Sequence, residues 1–305
     1  MPPASDAIPV QPQDGQQRYG EVFDRGYKHY DGPRLGRREA TRALIGYSIK
    51  RAMGIKKSWT AKVIPILLYI AVATPVIISI GIRAFVPTAE VLDYGDFFGF
   101  VFLIEGVFAA TIAPELLCSD RHERVLPLYF ARAITRLDYL LAKLAAAAIL
   151  MLTMSLVPAA ILWLGRQLLD DKPLTAISNN IDDLGRLVVG GVLVSIYLGS
   201  IALMISSFTG RKSIAVAIII LLFLVSTSLA FALSGAIDNE NTKYLVFLSP
   251  TNTVDDMSNT LFNRDIGLSE FDNNPFLSLW QYIGGMLAIT VACLGVMLWR
   301  YLPNE

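Results

Sequence analysis

The sequence predicts an all-α integral membrane protein with six transmembrane helices and an N-terminal interfacial helix. The first reason is composition, since 54% of the 305 residues are hydrophobic and 17% are charged, whereas soluble domains carry roughly 25% charged residues. The second reason is clustering, because the apolar residues fall in runs of about 20 residues, the length of a helix that crosses a bilayer. The third is the uneven distribution of lysine and arginine between those runs, which predicts a defined orientation.

The apolar runs divide the chain into three parts. Residues 1–33 form a polar, largely disordered cytoplasmic tail, since the first residues are rich in Pro, Gln and Asp. Residues 34–61 form the interfacial helix, and residues 62–305 form the transmembrane domain. We place its spans at about residues 63–85, 97–113, 139–164, 187–208, 214–233 and 277–301.

Lysine and arginine orient the spans. If the N-terminus is cytoplasmic, the segments on the cytoplasmic side hold 20 of the 26 basic residues and the external segments hold six. Because basic residues concentrate in cytoplasmic loops, both termini and the connection between the second and third spans are predicted to be cytoplasmic.

Two segments outside the spans allow two interpretations each. Ile45, Ile49 and Met53 share one face of residues 34–61 at helical spacing, which favours a helix at the membrane surface over a solvated basic helix. The external segment at residues 235–276 is apolar on both sides of Ser249-Pro250. It is either a pair of short re-entrant helices or an ordinary external loop with a surface helix.

A compact charged connection joins the second and third spans, and we call residues 114–135 the coupling segment. Its first half is crowded with charges, and an apolar ridge follows them. The charged residues are Glu115, Asp120, Arg121, Glu123 and Arg124. The ridge contains Leu126, Pro127, Leu128, Tyr129 and Phe130. Such a mixture of apolar and charged side chains could bind a soluble partner protein.

The sequence lacks the motifs of several classes of protein. The nearest text to a phosphate-binding loop, Gly210-Arg211-Lys212-Ser213, lacks the required glycine spacing and joins two spans. The two cysteines and two histidines are too far apart in the sequence for a CxxC or His cluster. Zero formal net charge gives no signal for nucleic acid. We therefore expect no catalytic residues, no metal and no cofactor in this chain.

Polar residues inside the spans are candidates for a substrate path. Glu105 is a carboxylate in the middle of a span, where a charge is costly and by default functional; the alternative is a protonated Glu that serves helix packing. Ser226 could line a polar path. Ser195 lies between Gly191 and Gly199 on a face of small residues, where helices can approach closely. Gly284, Ala288 and Ala292 form a similar face in the last span.

The coupling segment resembles that of the permease subunits of prokaryotic ABC-2-type transporters. The matching text is Asp120-Arg121, Glu123-Arg124-Val125-Leu126-Pro127-Leu128-Tyr129, Ala131-Arg132, Arg136, Tyr139 and Lys143. Tyr27, Tyr30, Gly32 and Arg34, ahead of the basic helix, are also similar to such proteins. The resemblance covers nearly the whole chain after residue 17, and the number of spans agrees with it.

The resemblance implies an ABC-2 exporter-type (type V) fold and a transport complex in the bacterial cytoplasmic membrane. Two permease subunits, identical or close paralogues, would pair in the lipid bilayer, and two ABC ATPase subunits holding ATP and Mg²⁺ would dock below them. The coupling segment would enter a cleft of each ATPase, with Leu126, Leu128 and Tyr129 as buried contacts. The charged residues Glu115, Asp120, Arg121, Glu123 and Arg124 would form pairs at the rim, and Arg211 and Lys212 a minor contact. Residues 244–262 match re-entrant helices that close the exit.

Cavity walls made of Phe, Leu, Ile and a few hydroxyl groups suit an amphipathic, lipid-like or drug-like substrate. The direction of transport that the resemblance implies is export. Two other functions stay open. One is a self-powered secondary transporter or channel with Glu105 as a proton or ion site, and the other is a membrane scaffold or enzyme subunit.

Overall fold

The computed structural model describes residues 32, 36–55, 57–86, 91–125, 127, 129, 134–236, 240–262 and 277–301, and this part of the chain is nearly all helical, without β-strands. In chain order the helices are α1 (Arg37–Ala52), α2 (Thr60–Phe85), α3 (Tyr94–His122), α4 (Arg136–Leu168), α5 (Pro173–Asn179), α6 (Ile181–Phe208), α7 (Lys212–Ala236), α8 (Pro250–Leu261) and α9 (Leu279–Tyr301), with a 3₁₀ segment at Glu240–Leu248.

The six predicted spans are confirmed. Helices α2, α3, α4, α6, α7 and α9 are each long and apolar enough to cross a bilayer, and each contains or closely matches one predicted apolar run. Prolines lie inside α2, α3 and α4 without ending them, as membrane helices tolerate. Most of these helices extend beyond the predicted limits because the sequence-based limits followed the apolar residues alone.

Two helices form the centre of the bundle. Helices α3 and α6 are the most buried of the spans, and they pack against each other and against α4. Helices α2, α7 and α9 have most of their surface outside this packing. Their outward apolar side chains, such as Ile70, Leu221 and Val291, suit contact with lipid or with another membrane subunit.

The second span is longer than the sequence analysis placed it. Helix α3 continues through Pro114 to His122, so the first part of the predicted coupling segment belongs to the span. The apolar pattern ends near residue 113, but Glu115 and Asp120 have basic partners inside the protein that allow the helix to continue. The connection between the spans is residues 123–135, which we call the elbow. Its Pro127 and Tyr129 have helical backbone conformation.

The elbow begins at a residue in the left-handed conformation. Arg124 has φ 53°, and the amide of Val125 donates to the carbonyl of Asp120 at 3.2 Å, while that of Arg124 donates to Arg121. This is the Schellman pattern that ends many helices, in which glycine is the usual left-handed residue. Helix α1 ends in the same way with Gly54 at φ 67°. An arginine at this position indicates that the sharp turn after α3 is held by its surroundings.

The segment after α7 packs onto the bundle end opposite to the elbow, which we call the far end. Helix α8 lies against α3 and is mostly buried. The Thr227 hydroxyl of α7 bonds to the Ser249 hydroxyl at 3.1 Å, and Tyr282 of α9 donates to the Asp256 carboxylate at 3.2 Å. The re-entrant position of residues 235–276 stays a prediction, and residues 263–276 lie outside the described part.

Two adjacent glycines of α9 provide a matched test of this packing. A methyl group on Gly285 would lie 2.2 Å from the Phe247 ring, whereas one on Gly284 meets nothing within 4 Å among the described residues. We expect Gly285→Ala to destabilise the protein by about 1–3 kcal/mol, as overpacking commonly does. Gly284→Ala should be neutral or slightly stabilising, because alanine favours helix. Thermal unfolding in detergent measures the difference, and equal melting temperatures would contradict the described contact.

Candidate coupling site

A network of charged side chains lies directly beneath the elbow. It joins helix α1, the last turns of α3, the first turns of α4 and the start of α7. Four basic side chains face three carboxylates within it. The bases are Arg51, Lys57, Lys143 and Lys212, and the acids are Glu115, Asp120 and Glu123.

The centre of the network is a fully buried ion pair between α3 and α4. The Lys143 ammonium lies 2.8 Å from Asp120 Oδ2, and both side chains have no exposed surface. Tyr139, one turn before Lys143, donates its hydroxyl to the same carboxylate at 2.9 Å. Lys143 also donates to the Ser48 hydroxyl of α1 at 3.0 Å. Burying two charges costs several kcal/mol per ion unless such hydrogen bonds satisfy them, so the pair requires all three helices.

Arg51 extends the network from α1 to the elbow. Its guanidinium donates to Asp120 Oδ1 at 3.1 Å and to the Glu123 carboxylate, and its Nε lies 3.6 Å from Glu115. Burial alone would lower the pKa of Arg51, but the carboxylates of Asp120 and Glu123 outweigh it and raise the pKa. The guanidinium therefore stays charged and connects α1 to both the end of α3 and the first residue of the elbow.

The N-terminal end of α1 is fixed to the other side of the elbow. Thr135 and Asp138 form a capping box at the start of α4, with the Thr135 amide donating to Asp138 Oδ2 at 3.0 Å, which satisfies free amides of the first turn. Arg37 donates two hydrogen bonds to the same Asp138 carboxylate, at 2.6 and 2.7 Å. Helix α1 thus bonds to the residues that precede and follow the elbow.

The second connection at this end, residues 209–211, lies next to the same charge network. Glu115 pairs with Lys57 and, at 2.7 Å, with Lys212 at the start of α7. Arg121 donates to the Ser207 carbonyl at the end of α6, and Arg300 of α9 donates to the same carbonyl at 2.8 Å. These bonds satisfy a carbonyl that the end of α6 leaves free.

Tyr129 is an aromatic residue of the elbow that contacts the bundle. Its ring lies 5.7 Å from the ring of Tyr139, centre to centre, which in turn lies 6.2 Å from that of Tyr301. Burial, followed by the negative charge of Asp120, raises the pKa of Tyr129 to about 12. The phenol therefore stays neutral at physiological pH.

The structure places some of the predicted contact residues inside the protein. Asp120 was expected at the rim of a partner interface, but it is fully buried and bonded to Lys143, Tyr139 and Arg51, so its carboxylate is not available there. Glu115 and Arg121 likewise face partners within the chain. Glu123 and Arg124 are exposed.

Three predicted contact residues, Leu126, Leu128 and Tyr129, remain to be located. Tyr129 is half-buried, and Leu126 and Leu128 lie outside the described residues. Arg51 and Ser48 were missed as members of the network, because the basic pattern of α1 is equally typical of residues that contact headgroups. Tyr139 and Lys143 were noted only within the matching text, although their spacing of one turn already places them on one face of α4.

The predicted substrate-path residues lie apart from this network. Glu105 is fully buried between the central helices, and the structure gives its two carboxylate oxygens no hydrogen-bond partner among the described residues. The Ser155 hydroxyl of α4 lies beside it without a hydrogen bond of normal geometry. Ser195 is also buried, and its hydroxyl has no hydrogen-bond partner within the described part of the chain. It lies one turn from Gly191, where a methyl group would lie 3.3 Å from the Ser155 hydroxyl. Ser226 donates to its own backbone at Phe223.

The buried pair yields a prediction on stability. Asp120→Asn should destabilise the protein by about 3–5 kcal/mol, because it leaves the Lys143 charge buried without its carboxylate. Adding Lys143→Met should restore most of the loss. Glu39→Gln is the control, because it removes an exposed pair with Arg42 at 2.6 Å, worth below about 1 kcal/mol. Unfolding in mixed micelles of mild detergent and dodecyl sulfate measures all three, and a loss for Asp120→Asn no larger than the control's would contradict the network.

Comparison with known proteins now assigns the chain to a family. The family model described as "ABC-2 family transporter protein" matches residues 48–299. This range includes the elbow, all seven charged residues of the network, and the six spans except the last two residues of α9. A search of curated proteins gives no significant match. Because the model covers most of the chain and the fold agrees with it, this protein is a multi-pass membrane subunit of the ABC-2 transporter family, the permease component of an ABC transporter.

Proposed function

We propose that the chain is the permease of an ATP-driven exporter and that a separate ABC ATPase docks on the elbow. The observation that carries the proposal is the buried ion pair of Asp120 and Lys143, which fixes the two helices that the elbow joins. A docking surface transmits force only if the structure behind it is stiff. The elbow has such a base, because α1, α3 and α4 are bonded together directly beneath it.

Some residues in and next to the elbow would bind the ATPase, and others would hold the elbow in position. Glu123 and Arg124 are exposed and can form charged pairs with the ATPase. We propose Leu126, Leu128 and Tyr129 as the apolar anchors, since a few buried apolar and aromatic residues carry most of the energy in protein interfaces. Asp120, Glu115 and Arg121 support the elbow from within. Arg211, an exposed residue of the second connection, supplies a minor contact.

The proposed orientation places the elbow, both termini and the ATPase in the cytoplasm of a bacterium. The support is the ratio of 20 basic residues to six between the two sides. ATP and Mg²⁺ belong to the ATPase in this proposal, so the chain contributes motion and a path and carries no cofactor of its own. Two ATPase copies would serve two permease copies, identical or closely related.

The path for substrate would form between the two permeases. The outward apolar faces of α2, α7 and α9 support a partner within the membrane, because each buries only a minority of its residues in this chain. Walls of aliphatic and aromatic side chains suit an amphipathic, lipid-like or drug-like substrate. Glu105, Ser195 and Ser226 are the polar candidates along this path.

The proposal predicts that the elbow anchors are needed for binding to the ATPase. Leu128→Ala combined with Tyr129→Ala should lower the affinity for the ATPase roughly 30-fold or more, since losing about 2 kcal/mol is typical for an interface anchor. Leu174→Ala is the control, because Leu174 is 84% exposed at the far end. Co-purification of the ATPase from membranes that contain the full complex provides the measurement. Equal recovery of the ATPase with both variants would refute docking on the elbow.

A second function is considered because Glu105 is buried without an ion pair among the described residues. A self-powered transporter with a proton site at Glu105 predicts that the purified chain alone dissipates a pH gradient across liposomes. Glu105→Gln should then abolish the flux, while Ser234→Ala, which removes a hydroxyl bonded to the Phe231 carbonyl of its own helix, should leave it intact. A pH-sensitive dye inside the liposomes gives the measurement. Our proposal expects no flux from the chain alone, and a flux that Glu105→Gln removes would favour the second function.

A further inference from the structure

The far end of the bundle contains a polar cavity that the proposed coupling role does not use. Its volume is about 330 Å³, within the range of small-ligand sites. It is lined by residues at or beside the ends of α2, α3, α4, α6 and α8, namely Arg83, Asp93, Tyr94, Arg166, Gln167, Asp170, Asn180, Asp183 and Phe262. This lining is charged and polar although the surrounding helices are apolar.

One wall of the cavity is built around a buried arginine. The Arg166 side chain is 6% exposed, and it donates to the Leu92 carbonyl and lies 3.4 Å from Asp93. Its guanidinium stacks over the Tyr94 ring at 4.5 Å. These contacts fix the group in place, yet its Nε is buried and has no hydrogen-bond partner among the described residues. A preorganised donor that lines a cavity is suited to an acceptor group of a ligand.

Arg83 adds a second guanidinium to the lining. A guanidinium has five N–H donors, so an existing partner does not exhaust its capacity. The two arginines together suit the oxygens of a phosphate or carboxylate, for which guanidinium geometry is well matched.

The lining also offers acceptors, Asp170 and Asp183. Asp170 accepts a backbone bond from Lys172 at 3.2 Å, and the Asp183 carboxylate lies 3.9 Å from Arg186, beyond hydrogen-bond distance. A carboxylate can accept about four hydrogen bonds, so both retain free capacity. Asn180 is held in place by its donation to Gln167 at 2.9 Å. Such acceptors suit a group with several N–H donors.

The balance of charge indicates what kind of ligand the cavity would accept. Three aspartates face two arginines in the lining, so an anion alone would add to an excess of negative charge. A cation alone would leave the Arg166 donor unused. A ligand with an oxyanion and a primary ammonium offers a partner to both the arginines and the aspartates of the lining. A quaternary ammonium lacks the N–H donors for the aspartates.

We propose that this far-end cavity binds a phosphoethanolamine-type zwitterion, with its oxyanion on Arg83 and Arg166 and its ammonium on Asp170 and Asp183. The source is either the headgroup of a membrane lipid or a free soluble zwitterion of the same chemistry. The site needs neither ATPase docking nor a particular orientation of the chain, so its failure and that of the proposed function are independent.

The test measures binding to the full-length chain in nanodiscs. Native mass spectrometry should show phosphatidylethanolamine retained about tenfold more than phosphatidylglycerol, with phosphatidylcholine between them, since one charge-assisted hydrogen bond changes affinity by about that factor. Asp183→Asn should remove most of this preference. Asp182→Asn is the matched control, because the adjacent Asp182 is exposed and does not line the cavity. Asp170→Asn serves as the second variant if Asp183→Asn lowers the melting temperature without ligand.

Soluble probes distinguish the two sources. If the source is the aqueous phase, glycerophosphoethanolamine should raise the melting temperature of the chain in phosphatidylglycerol nanodiscs, and ethanolamine or glycerol phosphate alone should not. If only the lipid binds, the source is the membrane, and if the soluble probe binds equally well, the source is the aqueous phase. Equal retention of phosphatidylglycerol, equal effects of ethanolamine alone, or equal losses from Asp182→Asn and Asp183→Asn would each overturn the proposal.

Discussion

The buried ion pair between Asp120 and Lys143 is the constraint on which the elbow end of this structure depends. Neither side chain has exposed surface, and two buried charges are stable only when their remaining hydrogen-bonding capacity is satisfied. Tyr139, Arg51 and Ser48 provide those bonds. Because these residues come from α1, α3 and α4, none of the three helices can shift by a full turn without leaving a charge unpaired.

This constraint also holds α1 against the transmembrane helices. Its Arg37 bonds to Asp138, just after the elbow, and its Arg51 bonds to Glu123, at the elbow's first residue. The exposed Arg37 contact is worth little by itself, as surface ion pairs usually are. The partly buried contacts of Arg51 hold α1 in place, so a push on the elbow would move α1, α3 and α4 together. A stiff joint of this kind suits a subunit moved by a separate ATPase.

The spans and their number could be predicted from the sequence because apolar length is a local property. The end of α3 could not, because it depends on pairs such as Glu115 with Lys212, which are 97 residues apart. The sequence therefore predicts exposure wherever it carries charge, and it predicts Asp120 at the rim of a partner interface, whereas the structure buries this residue. The pairing of Arg51 with Asp120 and Glu123 could not be predicted for the same reason, since a basic helix before a first span also fits contact with lipid headgroups. A single sequence does not distinguish a surface charge from a buried partner.

The buried polar side chains differ along the bundle in how many of their hydrogen bonds and ion pairs are formed. At the elbow end, each network carboxylate has at least one basic partner, and this part is built to keep one geometry. In the centre, Glu105, Ser155 and Ser195 are buried without hydrogen bonds among the described residues. Such groups cost free energy in a closed state, so they favour a state in which water, a proton or a substrate reaches them. A bundle that is rigid at one end and incompletely satisfied in its middle is suited to opening around its centre when the rigid end is moved.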